Sequence, residues 1–204
     1  MRRSSIALAL SAALLAAFAS PGHAAPFDYR DLKGDALLPE PGLDLLHVEY
    51  RTTGTGSGRR YVPRNLVLTV TAAGPIVRMP GVTYVMIAQT STCGELKLQY
   101  SDGTAKALAT GQPATVFAEC GVDATSSVLD AAAKVSGSKL ELTLPLSTVP
   151  PELVAGTKLT EFQGSTEVRD PVVAGLPWAE FTDFPLGMPL AVDIAYSNGT
   201  WTLG

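Results

Sequence analysis

The sequence predicts an all-β protein: an antiparallel β-sandwich, jelly-roll or immunoglobulin-like, of about nine or ten strands with one disulfide. Three observations carry that reading. Apolar and polar residues alternate with a period of two in segment after segment. Turn signals recur about every 8–12 positions, and the 204 residues include 19 glycines and 15 prolines, too many for long helices. The short spacings favour hairpins, hence antiparallel pairing, with two packed sheets ahead of a closed barrel.

Residues 1–24 read as a secretory signal peptide. Arg2 and Arg3 precede an apolar run from Ile6 to Ala19, and Gly22-His23-Ala24 places small residues where a signal peptidase cuts. The run is shorter than the roughly 20 residues of a membrane span. Residues 25–204 then form one β-sandwich domain, secreted, extracellular or in the cell envelope, with no membrane span. Losing two arginines and no acid takes the formal charge from −4 to −6. A mildly acidic chain with scattered lysines excludes nucleic acid as an expected partner.

The strands follow in order. In Leu45 to Tyr50, Leu46, Val48 and Tyr50 share one face, and His47 and Glu49 the other. Gly54-Thr55-Gly56-Ser57-Gly58, flanked by Arg51, Arg59, Arg60 and Arg64, reads as a solvated loop before the strand at Asn65–Thr71. Thr83–Thr90 is a more fully apolar strand, as suits a central position. Glu95–Tyr100 alternates cleanly, Asp102-Gly103 reads as a hairpin turn, and Thr115–Cys120 is a further strand. Ala131–Val135 and Lys139–Leu144 flank Ser136-Gly137-Ser138. Pro150-Pro151 suits one short helical turn. Lys158–Arg169 is a strand, and Asp170–Pro189 a long loop. Leu190–Tyr196 and Thr200–Leu203 flank Asn198-Gly199, the strongest hairpin signal in the chain.

Cys93 and Cys120 are the only cysteines. An even count in an exported chain favours a disulfide, and their spacing is not the Cys-x-x-Cys of a redox pair.

Asp31-Leu32-Lys33-Gly34-Asp35, followed by Gly42-Leu43-Asp44-Leu45-Leu46-His47-Val48-Glu49-Tyr50, resembles the opening of DOMON-like and family-9-type carbohydrate-binding modules. These secreted β-sandwich domains begin with an acidic Asp-x-x-Gly-Asp turn and a strand opening Asp-Leu. The resemblance spans 20 residues, Asp31 to Tyr50. It implies binding of sugars, haem or cell-surface partners, and in some members a calcium ion held by the acidic turn. The Met/His pair that haem needs has no candidate here, because His47 is the only histidine after residue 24.

The residues themselves leave two readings of that segment open. Asp28, Asp31, Asp35 and Asp44 place four carboxylates within 17 residues. They can bond local amides in a turn. Alternatively, Asp31, Asp35 and Asp44 can hold a structural calcium ion, which needs six to eight oxygens. The spacing is not that of an EF-hand.

No catalytic residues are expected. A Ser-His-Asp arrangement would have to use His47, on the polar face of a strand, and no Gly-x-Ser-x-Gly elbow occurs. Of the aromatics, Trp201 suits the core. Trp178 and Phe181, in the loop between Pro177 and Pro185, are the candidates for stacking on a ligand. The expected function is a non-catalytic binding module for a glycan, envelope component or protein partner. The alternatives are an exported hydrolase and a purely structural envelope protein.

Overall fold

Residues that alternate in polarity along an extended chain bury one face, and two such faces satisfy each other. A computed structural model describes residues 24–79, 81–92, 94–101, 132–147, 153–168 and 190–204, and the backbone of 115–120. Ten strands form two sheets. They are β1 (Phe27–Arg30), β2 (Leu45–Thr55), β3 (Val62–Ala72), β4 (Val82–Thr90), β5 (Gly94–Ser101), β6 (Thr115–Cys120), β7 (Ala132–Ser136), β8 (Lys139–Pro145), β9 (Lys158–Val168) and β10 (Leu190–Thr202). The sheet orders are β1-β2-β3-β8-β7 and β10-β9-β4-β5-β6, and every pairing is antiparallel.

One buried cluster draws side chains from both sheets, so the architecture is sandwich-like. Phe27 of β1 stacks on Phe162 of β9 with ring centroids 4.2 Å apart, and Tyr50 of β2 meets Phe162 edge-on at 4.8 Å. Such aromatic pairs add to the area they bury. Trp201 is in the core as expected, and its indole N–H donates to the Ala25 carbonyl at 2.8 Å. The apolar β4 is the middle strand of its sheet. The glycine-rich loop joins β2 to β3 through a short 3-10 turn at Gly58–Arg60. Arg51 lies back on the strand and is paired with Glu141 at 2.9 Å and Glu49 at 3.6 Å.

Two local expectations are corrected. Leu45, not Leu46, is fully buried, because a bulge between Leu45 and His47 shifts the register against β3. Asn198-Gly199 is not a hairpin turn. β10 runs straight through it, pairing with β9 on both sides, and the two residues bulge opposite Glu161, whose φ is +50°. A Cβ on Gly199 would overlap the Phe27 ring, so the glycine is required by packing rather than by a chain reversal.

The expected Cys93–Cys120 bridge lies outside what is described, since Cys93 and the side chain of Cys120 are not covered. Trp178, Phe181 and the Asp102-Gly103 turn also lie outside the described residues. No helix among the described residues is long and apolar enough to cross a membrane.

Candidate cation site

The chain leaves β1 at Arg30 and takes residues 31–44 to reach β2. Two prolines and two glycines keep this segment out of the sheet. Backbone groups must then find other partners, and both sheets supply them. Asp31 N–H donates to the Leu46 carbonyl at 3.1 Å, and Leu37 N–H to Val192 at 2.8 Å. The Tyr84 hydroxyl donates to the Gly42 carbonyl at 2.7 Å, and the Thr166 hydroxyl to the Leu43 carbonyl at 2.7 Å. Gly42 is buried against Pro75, where a Cβ would overlap the Pro75 carbonyl oxygen.

This pinning brings carboxylates together. Asp31, Asp35 and Asp193 each offer one carboxylate oxygen, and the three oxygens lie within 4.8 Å of one another. Asp193 comes from β10 in the other sheet. A bulge between Ala191 and Asp193 accompanies its inward burial, with only 6% of the residue exposed. Its Oδ2 accepts the Leu45 N–H at 2.5 Å. Asp31 Oδ1 accepts the Leu32 N–H at 2.9 Å, while its Oδ2 is buried with no hydrogen-bond partner.

Like charges crowded out of water hold protons more tightly. Burial, and then the neighbouring Asp31 and Asp35 carboxylates, push Asp193 up to about 6, against the opposing bond from Leu45. Asp31 is raised for the same reasons, burial first, then Asp35 and Asp44.

Of the sequence candidates, Asp31 and Asp35 enter this cluster. Asp44 sits beside it, buried, with Oδ2 accepting the Gly34 N–H at 2.8 Å. Asp28 is elsewhere, paired with His47 Nε2 at 2.8 Å on the outer face of β1 and β2. No Ser, Thr or Cys side chain among the described residues is bonded to His47. Sequence reasoning missed Asp193. The available signal was an acid inside Leu190-Ala191-Val192-Asp193-Ile194-Ala195-Tyr196, because Asp is depleted from strand interiors.

The donor set is all oxygen. Two ligands on opposite sides of a calcium ion, each about 2.4 Å away, are about 4.8 Å apart, so the spread of these oxygens is within what one such ion can bridge. Hard carboxylates without His or Cys suit calcium over zinc or copper. No protein-family model matches the chain, and searches of curated proteins and of solved structures returned no match.

Proposed function

We propose that the chain is an exported, non-catalytic β-sandwich binding module for a glycan, envelope component or protein partner, and that Asp31, Asp35 and Asp193 hold a structural calcium ion. The observation that carries this reading is the convergence of three carboxylates, from a loop of one sheet and the edge strand of the other, within 4.8 Å. Without a cation these charges repel, and with one they tie the loop to β10. The test is thermal unfolding of residues 25–204 in excess calcium and in chelator. A midpoint several degrees higher in calcium is expected, since a ligand of the folded state adds stability. Asp193→Asn should remove most of the difference. Retention on isolated cell envelopes, with and without calcium, then reads the binding role.

An exported hydrolase is the second reading, and the raised Asp193 beside other carboxyls is what favours it, because paired carboxyls of unequal acidity are the tools of glycoside cleavage. Such a site would cleave glycosides in chelator, whereas a calcium site would be inert and stabilised by metal.

A further inference from the structure

β2 begins at Leu45, beside Asp193, and ends about 30 Å away at Thr55, which pairs with Val62. At that far end lies an open cleft of about 390 Å³, within the range that small-molecule sites occupy. Val62, Pro63, Pro145, Leu146 and Val154 make its walls apolar. Val62 is 47% exposed and Val154 54%, so two aliphatic side chains meet water at one cleft. Scattered exposed residues are ordinary, whereas a group of them around a concavity marks a contact site. Among the described residues, Arg64 is the one charged residue on the lining. A register shift places it there: Thr53 pairs with Asn65 and Gly54 with Pro63, so Arg64 is an extra residue in β3 with no partner on β2. Bulges of this kind re-aim side chains. Arg64 is exposed and forms no ion pair among the described residues.

The lining chemistry selects the ligand. A guanidinium stays protonated, so the cleft carries a fixed positive charge. One guanidinium matches one carboxylate, which it can hold with two parallel hydrogen bonds. The walls favour an aliphatic chain. No aromatic side chain among the described residues lines the cleft, so a sugar ring has nothing there to stack on. We infer that this cleft receives a carboxylate on an aliphatic chain, with the carboxylate on Arg64 and the chain against Val62, Leu146 and Val154. This rests on the binding-module reading and names its ligand class. The ligand leaves the calcium site untouched, because the two lie at opposite ends of β2.

The test titrates isotope-labelled residues 25–204, in saturating calcium, with hexanoate, 1-hexanol and acetate, following amide resonances. Hexanoate should give saturable shifts at Asn65, Leu146 and Val154. Hexanol, which lacks the charge, and acetate, which lacks the chain, should each bind at least about tenfold more weakly. Arg64→Gln should weaken hexanoate by about tenfold or more, as loss of a charge-assisted bond does. Val154→Asp, at an exposed position of the lining, should weaken it as well and covers the case in which Arg64→Gln disturbs the bulge. Arg59→Gln, off the lining, should leave it within about twofold. Equal binding of hexanol or acetate, no binding of any probe, hexanoate binding unchanged in Arg64→Gln, or an equal loss in Arg59→Gln overturns the inference. Calcium stabilisation and envelope retention that persist in that event leave the module reading standing, and loss of all three sinks both.

Discussion

The backbone N–H of Leu45 donates to the carboxylate of Asp193 at 2.5 Å, across 148 positions of sequence. Leu45 opens β2 in one sheet, and Asp193 lies near the start of β10 in the other. Each stands at a bulge: one between Leu45 and His47, the other between Ala191 and Asp193. Leu45 and Asp193 are both buried, and their hydrogen bond joins the two sheets where the acidic loop crosses between them. The carboxylate cluster is thus a product of the seam, not of the loop alone.

The seam should make the metal-free protein sensitive to pH. The Asp193 carboxyl sits at about 6 in the folded chain against an ordinary 3.8. The folded state therefore binds this proton more tightly than the unfolded state does. Its favourable contribution is complete below about pH 4 and is lost as pH rises towards and past about 6. In chelator, wild-type stability relative to Asp193→Asn should fall across that window, as measured by denaturant unfolding at a series of pH values. A flat difference would mean that the carboxyl is not held as described.

Phe162 should be the most costly single truncation in the core. It is fully buried between Phe27 and Tyr50, and joins the two sheets. Phe162→Ala should destabilise by about 3–5 kcal/mol. Tyr196→Ala, on the exposed face of β10, should change stability by no more than about 0.5 kcal/mol. Chemical denaturation of both variants checks the contrast.

Gly199→Ala should cost about 1–3 kcal/mol, because its Cβ would overlap the Phe27 ring. Asn198→Ala, at an exposed position of the same bulge, should cost far less. A double-mutant cycle with Phe27→Ala should show strong non-additivity, the second substitution relieving much of the first. Equal costs at 198 and 199 would instead point to a requirement of the bulged backbone.

Thiol labelling of unfolded, unreduced residues 25–204 should find no free cysteine, if Cys93 and Cys120 are bridged as their count and the export signal predict. Reduction should then lower stability by about 3 kcal/mol on chain-entropy grounds. Two reactive thiols would remove the bridge.

Much of the fold is legible in the sequence, because alternation is a local property. Leu96, Leu98 and Tyr100 point inward because each is two residues from the next, and their burial follows from polarity alone. The central place of β4 is legible in its unbroken apolar run, and the turn between β7 and β8 in Gly137, which has φ +58°. Asp31 and Asp35 are likewise visible as a pair. What the sequence could not supply is which distant residue stands opposite. Leu45 displaced Leu46 from the core, Asn198-Gly199 became a bulge, and Asp193 joined the acidic loop. Each of these was settled by pairing between strands far apart in the chain. One inserted residue inverts the faces of a strand, and only the packed sheets determine where that insertion is tolerated. The sequence by itself determined the strands and an acidic turn; the tertiary structure decided that Asp193, from the opposite sheet, completes the site.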